Sequence, residues 1–200
     1  KIMTVILGHK HNNIIRLGAD KMVVNADDSA QEDHDKIVVI NNHLAVACAG
    51  SMSVQKMIEL EVNKSTGRTD IYGEDILEFL HDFYKKANEM NLESIINQES
   101  CFIIAGLNRK KELAVMIISY IRGKFEYSDN VEAALFPPAD LTLGKCLEIY
   151  KSNFQKYPQD YFVKTITDIS KISKYVNSKG TLWEYDMNSD RSNKEEFNRE

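Results

Sequence analysis

Three side chains in the first forty residues carry groups that could act together. Thr4 supplies a hydroxyl, Asp20 a carboxylate and Lys36 an amine, at even spacing along the chain. Each stands at the end of an apolar run: TVILG opens with Thr4, IIRLGAD closes with Asp20, and Lys36 opens KIVVI. The tripeptide Ala49-Gly50-Ser51 closes the next such run, HLAVACAG. If Thr4 is the first residue of the mature chain, its hydroxyl and its α-amine sit on adjacent carbons. The hydroxyl can then attack a carbonyl while the amine, directly or through one water, takes the proton. An α-amine suits this because its ordinary pKa of about 8 lies near working pH, whereas an ordinary lysine amine stays protonated. Lys36 beside Thr4 would favour the developing alkoxide and keep the amine neutral, and Asp20 would hold the ammonium in place. The backbone N–H of Gly50, at a change from strand to helix, could donate to a tetrahedral oxyanion with help from the helix dipole. Taken singly, each residue has a plainer role: a β-branched strand residue, a structural or solvated ion pair, a turn glycine.

The elements that must position these groups follow from hydrophobic period. Thr4 to Gly8 and Ile14 to Ala19 read as two strands around the polar stretch His9 to Asn13, and Lys36 to Ile40 and His43 to Ala49 as a hairpin around Asn41-Asn42, whose residues tolerate positive φ. Between these pairs, Lys21 to Asp35 is acidic and reads as a solvated connection with a short strand at Met22 to Asn25. After Ser51 the period becomes helical: Val54, Met57, Ile58 and Val62 share one face, and Ile76, Leu80, Phe83, Ala87 and Met90 another, with a break at Thr66-Gly67-Arg68. Cys101 to Leu107 and Leu113 to Ile121 are strands apolar enough to be buried on both faces, with a third strand near Lys124 to Tyr127. Pro137-Pro138 excludes helix before it. Helices follow over Leu143 to Phe154 and Phe162 to Val176, then a strand over Gly180 to Tyr185. The predicted organisation is one domain over residues 1–187 and a frayed polar tail over 188–200. Strands, two helices, strands, two helices, strand suggests two face-to-face sheets with a helix pair outside each.

With 43% hydrophobic and 28% charged residues, 200 residues make one ordinary globular domain with a real core. A net charge of -5 argues against nucleic-acid binding, which needs a basic surface. No apolar run reaches the length of a membrane span, and the start lacks the pattern of a secretory signal, so the expected place is the cytoplasm. Cys48, Cys101 and Cys146 are odd in number and widely separated, as reduced packing residues would be. The five histidines offer no zinc spacing: His9 and His11 read as strand neighbours or a surface turn, and His34 as solvated. No glycine-rich phosphate loop is present, and no cofactor is expected.

Thr4, Gly18-Ala19-Asp20, Lys36 and Ala49-Gly50-Ser51 together resemble the amino-terminal half of the proteasome β-subunit family, with its bacterial two-component relatives, within the N-terminal nucleophile (Ntn) hydrolases. The fit runs without a gap from Thr4 to about Val62; beyond that, only the order of elements is similar. The resemblance implies an α/β (α+β) fold, a four-layer α/β/β/α sandwich of two antiparallel sheets flanked by helix pairs. It implies a threonine peptidase that cleaves amide bonds through an acyl-enzyme on Thr4, with Asp20, Lys36, Gly50 and Ser178 as the other site residues. It also implies a polypeptide substrate, a homo-oligomeric ring, an ATP-dependent unfoldase on a separate chain, and a medium apolar specificity pocket at Met52.

Three departures accompany the resemblance. Lys1-Ile2-Met3 precedes Thr4, so exposing its amine requires a start at Met3 with methionine removal, or self-cleavage. Phe136-Pro137-Pro138-Ala139-Asp140 stands where the family leads into its third helix with Gly-Ser-Gly, which leaves the serine that assists the nucleophile without a counterpart. The family's Asp-Ser-x-Ser-Gly segment matches best at Tyr175 to Lys179, which keeps its final serine as Ser178 and replaces its aspartate by Tyr175. The alternative to a hydrolase is therefore a catalytically silent ring or scaffold subunit of the same fold, with a small-amide acylase as a third reading.

Overall fold

The computed structural model of the chain describes residues 2–24, 30–31, 34–64 and 68–199. Strands β1 (Ile6–His11) and β2 (Ile14–Asp20) form a hairpin, and β3 (Val23–Val24) with β4 (Ala30–Gln31) a small separate ladder. Strands β5 (Ile37–Asn41) and β6 (Leu44–Gly50) lead into helices α1 (Met52–Lys64), α2 (Gly73–Glu89) and the short α3 (Glu93–Ile96). Next come β7 (Ser100–Leu107), β8 (Leu113–Ile121), β9 (Lys124–Val131) and β10 (Ala133–Phe136), then helices α4 (Leu143–Lys156) and α5 (Tyr161–Ser170), and last β11 (Lys179–Asp186) and β12 (Arg191–Asn198). Two antiparallel five-stranded sheets result, in the orders β10-β1-β2-β11-β12 and β5-β6-β7-β8-β9. The protein is thus a mixed α+β fold, with five helices among the described residues.

Strand alternation explains the packing. In β6 and β7, Ala45, Ala47, Ala49, Cys101, Ile103 and Ala105 join one core cluster with Ile6, Leu17 and Trp183 of the other sheet. Their neighbours Leu44, Val46, Cys48, Phe102 and Ile104 project the opposite way and pack with Val54 and Ile58 of α1 and Ile76, Leu80 and Tyr84 of α2. Small alanines on one side and larger residues on the other let β6 be covered on both. On the first sheet, Val5 and Leu7 pack with Cys146 and Tyr150 of α4 and Phe162, Ile166 and Ile169 of α5. Each such fully buried aliphatic side chain contributes about 1.5–3 kcal/mol of transfer free energy.

Several expectations change. The segment from 188 is not a frayed tail through its length, because Arg191–Asn198 pairs along β11 as an edge strand. Its exposed, charged residues suit an edge that must stay soluble, and an apolar-periodicity reading misses such a strand. Helix α5 ends at Ser170, leaving Ser173 and Val176 in the following loop. The β5–β6 turn uses no positive φ. Asn41 instead accepts the His43 N–H on its side chain at 3.0 Å, whereas Asn12 in the β1–β2 turn adopts φ 54°. Of the two readings of His9 and His11, the strand one holds and the surface turn does not: both lie in β1 with their rings 5.9 Å apart, His9 is buried with its Nδ1 2.7 Å from the Tyr161 hydroxyl, and burial together with His11 lowers its pKa. Asp27, Asp28, Glu32, Asp33, Thr66 and Gly67, which carried expectations of a solvated acidic connection and a helix break, lie outside the described residues.

Candidate active site

The ends of β2 and β6 and the start of β5 meet just ahead of β1. Asp20, the last residue of β2, is fully buried and its carboxylate is saturated with donors. Oδ1 accepts the Thr4 hydroxyl and the Val5 N–H at 2.9 Å, while Oδ2 accepts the Met22 N–H at 2.9 Å and Lys36 Nζ at 2.9 Å. The Val5 and Met22 amides fix the carboxylate to the backbone on both sides, so its direction does not depend on Thr4.

Lys36 is 7% exposed and sends its three N–H donors to three acceptors: the Thr4 hydroxyl, Asp20 Oδ2 and the Met22 carbonyl, the last at 2.6 Å. Burial lowers the pKa of its amine against the opposing pull of Asp20, which brings the uncharged form closer to working pH. Thr4, 3% exposed, therefore lies between a buried amine and a buried carboxylate, accepting from one and donating to the other.

Neighbouring contacts fix the backbone that carries Lys36. The Cys48 N–H donates to the Lys36 carbonyl at 2.8 Å. Gln55 of α1 donates from Nε2 to the Asp35 carbonyl at 2.7 Å, and Lys194 of β12 pairs with the Asp35 carboxylate at 2.5 Å and the Ile37 carbonyl at 2.9 Å. Gln55 and Lys194 are positioning residues that the sequence did not single out. Gln55 carries no signal beyond its place on α1, and Lys194 lies in a strand whose polar sequence predicts a tail.

Gly50 ends β6 at φ +104°, opposite Ser100 of β7. A Cβ there would lie 2.1 Å from the Glu99 carbonyl oxygen. Both facts require glycine. The antiparallel alternation also sets the direction of its N–H. Leu107 N–H bonds the His43 carbonyl, so the odd-numbered residues of β6 face β7, and Gly50 N–H points with that of Cys48 toward the Lys36 edge, one rung beyond β5. Gly50→Ala is expected to cost about 2 kcal/mol or more in stability, read by thermal unfolding, because the strained φ and the clash both fall on backbone.

A cavity of about 110 Å³ opens at this junction, lined by Met3, Thr4, Met22, Val23, His34, Lys36, Gly50, Ser51 and Met52 among others. Its apolar wall is rich in sulfur, with Cys48 buried at the strand and Met52 at the head of α1. His34, expected to be solvated, is half-buried and lines this wall, held by its N–H to the Lys21 carbonyl at 2.8 Å. The structure thus brings Thr4, Asp20, Lys36 and Gly50 together, with Met52 at the cavity rim.

Ser178 lies two residues before Gly180, on the stretch whose Lys179 carbonyl accepts the Lys21 N–H at 3.0 Å. It precedes β11, whose Gly180 faces Asp20, and its carbonyl accepts the Arg199 N–H at 3.3 Å. It is not among the residues that line the cavity. Nor does Asp140 reach the site: its carboxylate accepts the Ser173 hydroxyl at 2.7 Å and the Lys174 N–H at 2.9 Å. The three cysteines are free and buried, and burial pushes the Cys101 thiol up to about 12 and Cys146 to about 11, as suits inert packing groups. No helix among the described residues is long and apolar enough to cross a membrane.

No family model matches this chain, and no curated protein matches it.

Proposed function

We propose that the protein is a threonine-type N-terminal nucleophile hydrolase of proteasome-like fold, in which Thr4, freed of the residues before it, attacks peptide carbonyls. The observation that carries this reading is the buried hydrogen-bonded line from Lys36 Nζ through the Thr4 hydroxyl to Asp20, beside the outward N–H of Gly50 and at the mouth of a cavity. The core between the two sheets, with helix packing on the far side of each, supports the four-layer α/β/β/α arrangement.

The chemistry follows from the atoms present. Thr4 Oγ bonds to the carbonyl carbon, its proton passes to the uncapped α-amine, and the carbonyl π electrons move to the oxygen, which Gly50 N–H receives. Collapse re-forms the carbonyl and breaks the C–N bond. The proton goes to the leaving nitrogen, and the acyl group remains as an ester on Thr4. Water attacks that ester by the same route and releases the acid. Lys36 stabilises the oxygen of Thr4 throughout, and its lowered pKa also allows it to share the proton in its uncharged form.

Sealing the site inside a homo-oligomeric ring, fed by an unfoldase on another chain, belongs to the same proposal. A sedimentation mass that stays at 22.9 kDa across concentrations would exclude the ring. A second reading, a catalytically silent ring subunit, is favoured by Tyr175, buried where the resemblance places a supporting aspartate. Intact-mass analysis separates the two. The hydrolase is expected to begin at Thr4 and to gain the mass of a threonine-directed electrophile, whereas a chain that keeps residues before Thr4 and takes no adduct is not this enzyme.

A further inference from the structure

Ser51 occupies the N-cap of α1, since its carbonyl accepts the first helical bond from Gln55 N–H at 3.3 Å. A serine here ordinarily turns its hydroxyl back on the first-turn amides, satisfying one of them. This one does not. Ser51 is 8% exposed, its Oγ is buried, and it has no hydrogen-bond partner among the described residues. Its own N–H is directed to Ser100 Oγ at 3.4 Å, so the backbone is anchored to β7 while the hydroxyl is left over. Ser51 also lines the cavity that holds Thr4, Lys36 and Gly50.

A buried hydroxyl without a partner is costly, and a fold tolerates that cost where the missing partner arrives with a ligand. The groups around it indicate the ligand's charge. The head of a 13-residue helix, the Lys36 amine and the Gly50 N–H edge all favour a negatively charged oxygen.

We infer that Ser51 is a further catalytic residue, whose hydroxyl donates a second hydrogen bond to the oxyanion that Gly50 N–H receives. The inference rests on the hydrolase reading and deepens it. No proton leaves Ser51 in the step; its O–H turns toward the oxygen as charge builds there and relaxes when the carbonyl re-forms. The interaction therefore belongs to the transition state more than to the bound substrate, so the expected effect is on kcat rather than KM.

The test compares Ser51→Ala and Ser51→Thr with the parent chain, each beginning at Thr4. A fluorogenic peptide amide with an apolar residue before the scissile bond is the substrate, and a peptide aldehyde, whose hemiacetal on Thr4 mimics the oxyanion, is the inhibitor. Ser51→Ala is expected to lower kcat by about 10- to 100-fold with KM nearly unchanged, and to weaken the aldehyde in parallel. Ser51→Thr, which keeps the hydroxyl, is expected to recover most of both. The melting temperature of Ser51→Ala should be no lower than the parent's, because no cap is lost. Unchanged kcat in an active Ser51→Ala overturns the assignment and leaves the hydrolase reading standing. A fall in melting temperature of about 2–4 °C or more shows that the hydroxyl caps α1 and overturns it as well. A parent chain that neither cleaves the peptide nor binds the aldehyde removes the hydrolase reading, and this assignment with it.

Discussion

Thr4→Ala, made in a chain that begins at residue 4, is expected to abolish peptide hydrolysis, with a loss of about 10³-fold or more, and to prevent any adduct with a threonine-directed electrophile. The size follows from what the hydroxyl does: no other hydroxyl at the cavity has a free α-amine on the adjacent carbon to take its proton, so the remaining rate is that of oriented water. The fold should tolerate the change. Asp20 keeps the Val5 and Met22 amides and the Lys36 ammonium, so its carboxylate is not left unpaired. Thermal unfolding within a few degrees of the parent, together with lost turnover in a peptide assay, is the expected pair of results. A Thr4→Ala protein that still cleaves peptide at the parent rate would remove Thr4 from the chemistry.

Lys36→Met is expected to damage both activity and stability. It removes the charged partner at 2.9 Å from a fully buried carboxylate, and breaking such a pair costs about 3–5 kcal/mol, or roughly 10 °C in melting temperature for a chain of this size. The double variant Asp20→Asn/Lys36→Met should lose less than the sum of the single changes, because removing both charges leaves neither stranded. A melting temperature for Lys36→Met equal to the parent's would mean that the pair is not buried in solution.

The same lysine predicts a pH dependence with a definite sign. Burial lowers its folded pKa below the ordinary 10.5, so between those two values the unfolded chain holds a proton that the folded chain has released. Over that window the cost of burying the ammonium is relieved, and stability rises with pH; below it the cost is fully present. Buried phenols act oppositely above pH 10, since burial raises the pKa values of Tyr84 and Tyr150. The difference between the parent and Lys36→Met curves, which carry the same tyrosines, isolates the lysine. That difference should shift in the parent's favour as pH rises toward 10.5.

Most of the candidate site was legible because its residues lie at strand ends. Thr4, Asp20, Lys36 and Gly50 each bound an apolar run, and a run's end is where a polar side chain can leave the sheet and meet others. The helices α1, α2 and α4 were legible for a similar reason, since their buried faces recur at helical spacing. Strand β12 was not, because an edge strand presents polar residues on its exposed faces and carries no apolar period. Its consequence for the site, Lys194 on Asp35, was hidden with it.

The sequence by itself determined which residue types were available and, β12 and the end of α5 excepted, which segments would be strands and helices, because period and composition are local properties of the chain. Only the tertiary structure decided that a hydroxyl, a carboxylate and an amine from three separate strand ends would share one desolvated point. The lowered pKa of Lys36 and the unpartnered hydroxyl of Ser51 follow from that burial. Both depend on which atoms surround a group and which are excluded, and surroundings are set by sheet register and layer packing rather than by any neighbour in sequence.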